Sequence, residues 1–319
     1  MTAYMDFERP IRELEKKAAE LRELSARHDA DSADGVRLLE ARIAEAKRQI
    51  FAGLTAWQRV QMARHPLRPF PEDYLQRMCV DFLELHGDRR FADDPAVIGG
   101  FAKLGGCPVM VIGTRKGRDL LQSQKVNFGM VHPDGFRKAL RLMQMADKAQ
   151  VPIVSLIDTP GAYPDVGAEA RHMGEAIAEN LREMFQLRVP VVVVVVGEGG
   201  GAGALGLGVG NRLLILENAY LSVVLPEVGA AALWGDEAAA AEAAETMKLT
   251  SAELHRLGLV DEVVPEPLGG AHTDYDKASE LLGEVLCRHL DELRRMTPEE
   301  RVSQRYAKFR AMGVVQGSA

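Results

Sequence analysis

The stretch that decides the fold is Val191-Val192-Val193-Val194-Val195-Val196-Gly197-Glu198-Gly199-Gly200-Gly201-Ala202-Gly203-Ala204-Leu205. Its six consecutive valines favour a buried strand, because β-branched side chains suit a pleated, packed surface. The glycines that follow let the chain turn and let another group approach the backbone closely. The small residues after them favour a helix, whose first N–H groups have no internal partner and suit an anion or a developing oxyanion. For a single turn of this kind, a purely structural role in helix–strand packing is the alternative.

A second strand and turn of the same kind lie earlier, in the stretch Val151-Pro152-Ile153-Val154-Ser155-Leu156-Ile157-Asp158-Thr159-Pro160-Gly161-Ala162-Tyr163-Pro164. A helix is expected between the two stretches, from Ala168 to Leu187. Its apolar residues at helical spacing are Met173, Ile177, Leu181 and Met184. Two successive strand–turn–helix units predict parallel strands joined by a crossover helix, with both turns at the carboxyl edge of the sheet. Open α/β folds bind ligands at that edge.

The N-terminal region is predicted to form a helical hairpin, because apolar residues recur every three or four positions in two stripes. The stripes comprise Ile11, Leu14, Ala18 and Leu21, and then Val36, Leu39, Ile43, Ala46 and Ile50. The polar stretch from Arg27 to Gly35 is the expected turn. Prolines from Pro66 to Pro71 end this region, which divides the chain into a hairpin with its linker, 1–71, and a main domain, 72–319. The hairpin packs either on its own domain alone or also on a partner subunit.

Three further patterns complete the expected secondary structure. The strands Val97–Lys103 and Val109–Gly113 are expected to form the first core hairpin around Gly105-Gly106. A helix from Gly135 to Ala149 carries a basic face that includes Arg137 and Lys138. The C-terminal region through Ala311 favours helices, with a short strand at 260–264.

Composition excludes several classes of protein. The chain has 319 residues, of which 47% are apolar and 27% charged, and this is enough to bury a large core. A formal charge of −7 argues against nucleic acid as the main partner. The N-terminus shows no basic segment followed by an apolar stretch, and the valine run is too short to span a bilayer, so we expect a cytoplasmic protein without export or membrane insertion. The isolated cysteines Cys79, Cys107 and Cys287 support neither a disulfide framework nor a metal site.

A set of sequence blocks, spread in order along nearly the whole chain, resembles a known family. The blocks are Ala63-Arg64-His65-Pro66, Arg68-Pro69, Gly87-Asp88-Arg89, Asn127-Phe128-Gly129-Met130, Arg137-Lys138-Ala139-Leu140-Arg141-Leu142-Met143, Asp158 to Pro164, Gly197 to Leu205, and Pro265-Glu266-Pro267-Leu268-Gly269-Gly270-Ala271-His272. In these blocks the chain resembles the alpha subunit of the carboxyltransferase component of multi-subunit acetyl-CoA carboxylase from bacteria and plastids.

The resemblance implies a crotonase-like α/β fold of stacked βαβ units and a definite reaction. With a beta subunit, such a chain transfers the carboxyl group of carboxybiotin to acetyl-CoA, which gives malonyl-CoA for fatty acid synthesis. Biotin is carried on a separate biotin carboxyl carrier protein, and biotin carboxylase loads it. Coenzyme A arrives as part of the substrate. The beta subunit bears the zinc ribbon, so no metal is expected on this chain, and the implied assembly is an α2β2 heterotetramer.

The same resemblance implies which residues form the site. The backbone N–H groups of Ala202 and Gly203 are the expected oxyanion hole, which explains why no Ser-His-Asp arrangement is needed. Substrate or biotin contacts are expected from Gly161, Ala162, Tyr163, Gly199, Gly200, Gly201 and Glu227. Contacts with a CoA phosphate or with a partner are expected from Lys116, Arg137 and Lys138.

Several positions depart from the family pattern. Family members usually have Ser-Gly-Gly where this chain has Gly201-Ala202-Gly203. They usually have Gly-His-Gln-Lys-Gly at 113–117 and Ser-Pro-Glu-Gly at 225–228. The basic stretch that precedes Asn127 in the family is weakened here to Leu120-Leu121-Gln122-Ser123. The methyl group of Ala202 would disrupt the site only if that residue needed a positive φ or if the biotin ring passed over it. The changes at 113–117 and 225–228 favour the alternative of a non-catalytic paralogue.

Two alternative functions remain open from the residues. One is a stand-alone acyl-CoA hydratase, isomerase or hydrolase, in which Glu198 or Glu227 would act within a single chain. A carboxylate at Glu198 could instead only satisfy neighbouring backbone N–H groups. The other is a non-catalytic paralogue retained as a scaffold. A structural role is favoured for four histidines that lack a nucleophile and carboxylate arrangement: His65, His132, His172 and His272.

Overall fold

The computed structural model of the protein describes residues 5–25 and 31–313. Its centre is an eight-stranded mixed sheet, and helices cover it. The strands are Cys79–Glu84 (β1), Val97–Leu104 (β2), Cys107–Thr114 (β3), Ile153–Thr159 (β4), Val191–Gly200 (β5), Arg212–Leu216 (β6), Tyr220–Ser222 (β7) and Glu262–Val264 (β8). The expected α/β class is therefore confirmed.

The strand order is β1-β2-β3-β4-β5-β6-β8, and β7 pairs with the end of β5. The first three strands are antiparallel, and the pairs from β3 onward are parallel. The hairpin predicted around Gly105 and Gly106 is confirmed, and both glycines have positive φ, at 55° and 78°. The parallel pairing of the two predicted strands is also confirmed, with Ile153 opposite Val191. The edge strand β1 was missed, because a bulge between Val80 and Leu83 breaks its alternation.

The valine strand lies at the centre of the core, as its composition predicts. All six valines of β5 are 0% exposed, since helices cover both faces of the parallel part of the sheet. The helix Pro133–Lys148 packs on the sheet through Phe136, Ala139 and Met143, which are also fully buried. The helix predicted from Gly135 to Ala149 is therefore confirmed, and each of its ends lies within two residues of the predicted one.

The helices of the described residues surround this sheet. They are Arg9–Ser25 (α1), Asp31–Ala52 (α2), Ala56–Ala63 (α3), Pro71–Met78 (α4), Leu120–Lys125 (α5), Pro133–Lys148 (α6), Val166–Ala170 (α7), Met173–Gln186 (α8), Gly201–Leu205 (α9), Pro226–Trp234 (α10), Ala240–Thr246 (α11), Ser251–Arg256 (α12), Tyr275–Arg294 (α13) and Pro298–Ala311 (α14). The predicted C-terminal helices and the short strand between them are confirmed. Within the described ranges, none of the helices has both the length and the apolar character needed to cross a bilayer.

Two sequence-based boundaries around the site were wrong. The single helix expected from Ala168 to Leu187 is divided into α7 and α8 by His172, whose φ is 63°. The glycine segment 197–200 continues β5 instead of turning, because Glu198, Gly199 and Gly200 pair with the short strand β7. The turn into α9 therefore begins only at Gly201.

The N-terminal helices α1 and α2 pack against each other, as predicted for a hairpin. Ile11, Phe51 and Met62 form one buried cluster, which joins both helices to α3. The predicted turn 27–35 was too long, because α2 already begins at Asp31, and residues 26–30 lie outside the described part of the chain. Asp and Ser suggest a loop, but they are also favoured where a helix begins. The division of the chain at residue 72 stays a prediction.

Candidate active site

The two glycine-containing turns meet at the carboxyl edge of the sheet, backbone against backbone. A Cβ added at Gly203 would lie only 2.3 Å from the carbonyl carbon of Gly161. A Cβ added at Gly200 would lie 2.0 Å from the carbonyl oxygen of Pro160. Glycine is required at both positions because the turns could not otherwise approach this closely. The structure thus brings together two stretches that the sequence placed at one edge.

The peptide N–H groups of Ala202 and Gly203 have no hydrogen-bond acceptor among the described residues. The left-handed backbone of this turn falls on Gly201, with a φ of 50°, and Ala202 is not among the residues with positive φ. Ala202 is exposed, whereas Gly203 is buried. The methyl group of Ala202 is therefore compatible with the backbone of the turn, and both N–H groups are available as donors.

A buried ion network forms around Glu198, which precedes Ala202 by four positions in the chain. The Lys116 ammonium donates to Asp158 Oδ1 and to Glu198 Oε1, each at 2.6 Å. The Glu198 backbone N–H also donates to Asp158 Oδ1, at 2.8 Å. A Cβ at Gly197 would lie 2.5 Å from the same oxygen, so glycine there makes room for the carboxylate. Lys116 thereby connects the ends of β4 and β5, from which the two turns start.

Arg64 extends the network to α10. Its Nε donates to Glu198 Oε2 at 2.7 Å, and its Nη2 donates to Glu227 Oε2 at 3.2 Å. The Tyr220 hydroxyl donates to Glu198 Oε2, also at 2.7 Å. Glu198 thus accepts from three side chains, which corrects the expectation that it serves neighbouring backbone N–H groups.

The electrostatics of the network keep Glu198 and Lys116 charged at neutral pH. Burial alone would raise the pKa of Glu198, but Lys116 and Arg64 lower it to about 2. Burial alone would lower the pKa of Lys116, but Asp158 and Glu198 raise it above its ordinary value. Burial alone would raise the pKa of Glu227, but Arg64 lowers it below its ordinary value. An ionised carboxylate fixed by two cations is a poor proton donor, so Glu198 does not suit general acid catalysis.

A cleft of 320 Å³ opens beside the network. Its lining comprises Ala63, Arg64, His65, Pro66, Phe70, Lys116, Gly117, Arg118, Ser123, Phe128 and Glu198. The His65 ring stacks on His272 with centroids 3.8 Å apart, and burial and His65 lower the pKa of His272 to about 3. The cleft shares Glu198 with the network, but its lining contains neither Ala202 nor Gly203.

The remaining predicted contact residues lie in three different settings. Tyr163 borders the first turn: its N–H donates to Val131 O at 3.0 Å, and its ring lies 4.4 Å from that of His132. Gly199 lies within β5, where a Cβ would meet a Leu221 side-chain carbon at 2.8 Å. Glu227 lies in the first turn of α10 and is held by Arg64.

The three basic residues expected to contact a phosphate are engaged within the chain. Lys138 is 0% exposed and donates to Val97 O at 2.7 Å, so its ammonium cannot reach a ligand at the surface. Lys116 is neutralised by its two carboxylates. Arg137 pairs with Asp88 at 3.1 Å, and its side chain is only 12% exposed. The expectation is therefore wrong for Lys138 and receives no support for the other two.

The sequence reasoning missed Asp158, Arg64 and Tyr220 as members of the site. Arg64 and Asp158 stand in two of the family blocks, which is the only signal that could have indicated them. Tyr220 lies in a three-residue strand that carries no pattern of its own. Among the described residues, no group of His, Cys, Asp or Glu has the arrangement needed to hold a metal ion.

Comparison with known proteins identifies the fold and the family. A family profile described as acetyl co-enzyme A carboxylase carboxyltransferase-like matches residues 4–313. The acetyl-coenzyme A carboxylase carboxyl transferase subunit alpha of Halorhodospira halophila is 51% identical over 314 residues, which cover 98% of this chain and 99% of that protein.

Two solved structures resemble the chain at lower identity. The transcarboxylase 12S structure with methylmalonyl-coenzyme A bound has a TM-score of 0.57 at 19% identity, over 70% of this chain and 42% of that one. A Pseudomonas malonate decarboxylase hetero-dimer has a TM-score of 0.57 at 17% identity, over 75% of this chain and 95% of that one. These likenesses confirm the crotonase-like fold. With the family profile and the relative described above, they lead to one conclusion: the chain belongs to the family of acetyl-CoA carboxylase carboxyltransferase alpha subunits.

Proposed function

We propose that this chain, with a beta subunit, transfers the carboxyl group of carboxybiotin to acetyl-CoA and forms malonyl-CoA. The observation that carries the proposal is the pair of unpartnered N–H groups at Ala202 and Gly203, on a turn packed closely against Gly161. Family membership supports the reaction, and the donor pair supports the place on this chain where it is assisted.

The two N–H groups suit an oxygen that gains negative charge as the reaction proceeds. Biotin supplies a ureido oxygen of this kind when its bond to the carboxyl group breaks. The N–H groups of Ala202 and Gly203 donate to that oxygen, and one fixed donor of this type is worth about 3–4 kcal/mol in the transition state. No titrating side chain is needed for this step, which agrees with the absence of a free general acid among the described residues of the network.

The ion network serves this chemistry by fixing the donors before the substrate arrives. Lys116 ties Asp158 to Glu198, and these residues precede the two turns by only a few positions. Donors that are already fixed need no reorganisation during the reaction, so a rigid base for the turns favours the transition state. The network is thus a support for the donors rather than a source or acceptor of protons.

The surroundings of the donors supply the binding surface in this proposal. Gly161, Ala162 and Tyr163 border the biotin ring on one side, and the backbone of 199–201 borders it on the other. Glu227 lies at the rim and contacts the bound group from the start of α10. Lys116 and Arg137 stay within the chain, so the phosphates of coenzyme A are bound elsewhere.

The beta subunit covers the apolar surface that surrounds the donor turn. Val223, whose carbonyl would meet a Cβ at Gly201 at 2.8 Å, has an exposed fraction of 85%. Exposed apolar side chains nearby in sequence are Leu205, Val224, Val228, Leu233 and Trp234. An apolar surface of this kind beside a site indicates a protein interface. The full assembly is an α2β2 heterotetramer that works with biotin carboxyl carrier protein and biotin carboxylase in the cytoplasm.

The reverse reaction tests the proposal with a simple readout. The chain is purified together with its beta subunit, and loss of malonyl-CoA is followed with biocytin as the carboxyl acceptor. Turnover that requires both chains supports the proposal. No turnover from an intact complex would favour a scaffold, and turnover of an acyl-CoA by this chain alone would favour a stand-alone enzyme.

A further inference from the structure

Two arginines outside the donor turn lie side by side without any carboxylate between them. Arg89 Nη1 donates to the carbonyl oxygen of His86 at 2.7 Å, and Arg141 Nη2 donates to the same oxygen at 3.1 Å. Arg141 Nε also donates to the carbonyl oxygen of Gly87, at 2.9 Å. Salt bridges of the described residues include neither Arg89 nor Arg141. Two positive charges therefore converge on one neutral oxygen atom.

The loop between β1 and β2 has a backbone that holds Arg89 in this position. Arg89 has a φ of 67°, a left-handed conformation that non-glycine residues seldom adopt and that costs free energy. Gly87 has a φ of 78°, and a Cβ there would lie 2.9 Å from Arg89 Nη1. The missing side chain at Gly87 thus provides the space into which the guanidinium of Arg89 folds back.

The nearest carboxylates, Asp88 and Asp93, form their hydrogen bonds with other groups. Asp88 Oδ1 accepts the N–H groups of Arg90 and Phe91 at 2.8 and 2.7 Å, and its Oδ2 pairs with Arg137. Asp93 pairs with Lys138 at 2.6 Å and accepts the Gly87 N–H at 2.7 Å. Burial and then the charge of Arg89 lower the pKa of Arg141, while the charges of Asp93 and Asp88 act in the opposite direction without cancelling this effect.

Arg89 lines an open pocket that a small anion can enter, and Arg141 shares the His86 carbonyl oxygen with it. The pocket has a volume of 260 Å³ and is lined by residues 87–92, of which Arg89, Arg90 and Phe91 are exposed. Guanidinium groups bind phosphate oxygens through paired N–H donors, and two adjacent groups suit a doubly charged anion. We propose that the 86–92 loop and Arg141 form a binding site for a phosphate group. The ligand is either free phosphate or a phosphate ester of a nucleotide-containing substrate.

Titration calorimetry with inorganic phosphate on the full chain tests the site directly. Wild type and the control Arg256→Gln, which changes an arginine paired with Glu253 on α12, are expected to bind phosphate saturably and equally. Arg89→Gln and Arg141→Gln are each expected to weaken binding about tenfold or more, since each removes a charged donor. Absence of saturable binding in wild type, or equal affinity in all four proteins, would overturn the proposal.

A second titration identifies the source of the phosphate. If adenosine 3′,5′-diphosphate binds more tightly than inorganic phosphate and loses affinity in the same two variants, the result supports a nucleotide ester as the ligand. Equal affinity for the two compounds supports free phosphate. Arg89 is exposed, so its replacement is expected to leave the thermal unfolding midpoint unchanged, and this variant decides the matter if Arg141→Gln does not fold. Binding is measured without turnover, so the result is independent of the proposed carboxyl transfer.

Discussion

Replacement of Lys116 by methionine is expected to destabilise the fold strongly. Methionine keeps much of the side-chain volume but removes the ammonium, which leaves Asp158 and Glu198 charged at 1% and 8% side-chain exposure. Removal of one partner from a buried ion pair usually costs about 3–5 kcal/mol of unfolding free energy. Lys116 and Arg64 together lower the Glu198 pKa from 4.5 to about 2 against the effect of burial. At about 1.4 kcal/mol per pKa unit, this amounts to about 3 kcal/mol for the two cations jointly, of which Lys116 supplies a part.

The loss should depend on pH in a defined direction. In wild type the folded pKa of Glu198 is below its unfolded value, so its stabilising effect is complete above pH 4.5 and disappears as the pH falls toward 2. In the variant, burial acts against one cation fewer and raises the folded pKa of Glu198. Protonation then relieves the buried charge, so the difference in stability between variant and wild type should shrink as the pH falls from 8 to 5.

Urea denaturation followed by circular dichroism, at several pH values between 5 and 8, measures both effects. Lys103→Met is a matched control, because Lys103 forms a pair with Asp81 at 2.7 Å on the surface, with side chains 52% and 67% exposed. Surface pairs of this kind contribute little, so the control should unfold almost as wild type does. If Lys116→Met lost no more stability than Lys103→Met, the network would not be the support described above.

Two further changes test the packing around the site. Gly203→Ala places a Cβ 2.3 Å from the carbonyl carbon of Gly161, so it should lower both the thermal unfolding midpoint and the carboxyl transfer rate. The control Gly174→Ala should preserve both, because no atom lies within 4 Å of the added Cβ. Equal behaviour of the two variants would contradict the close contact of the turns. Glu266→Gln leaves the buried guanidinium of Arg68 without its counter-ion, which is 2.6 Å away, and should cost about 3–5 kcal/mol in urea denaturation. A loss of unfolding free energy below about 1 kcal/mol, typical of a surface pair, would contradict a stabilising role of this buried pair.

Features that depend on neighbours in sequence could be predicted before the structure was known. Six adjacent valines can only form a buried strand in a chain of this composition, and Gly105-Gly106 between two apolar runs indicates a hairpin. The two glycine-containing turns were placed at one edge by the general rule for parallel strands. Their contact through Gly203 and Gly161 follows from that placement, although the required closeness is visible only in three dimensions.

Features that depend on distant residues could not be predicted from local patterns. Lys116, Asp158 and Glu198 are about forty positions apart in the chain, and only the order β3-β4-β5 brings their side chains together. The extension of β5 through Gly200 depends on β7, a strand of three residues without a recognisable pattern. Lys138 was assigned to a basic surface because helical periodicity gives the face of a residue but not the depth at which its long side chain ends.

The most direct test of the donor pair removes one N–H group and leaves the rest of the turn in place. Ala202→Pro does this, because proline lacks the N–H and is tolerated in the first turn of a helix. The matched control Ala202→Gly keeps the N–H. With each variant co-purified with the beta subunit, Ala202→Pro is expected to lower kcat for carboxyl transfer about 100-fold or more, whereas Ala202→Gly should stay near wild type. An Ala202→Pro complex that assembles and turns over at the wild-type rate would show that this N–H does not stabilise the reaction.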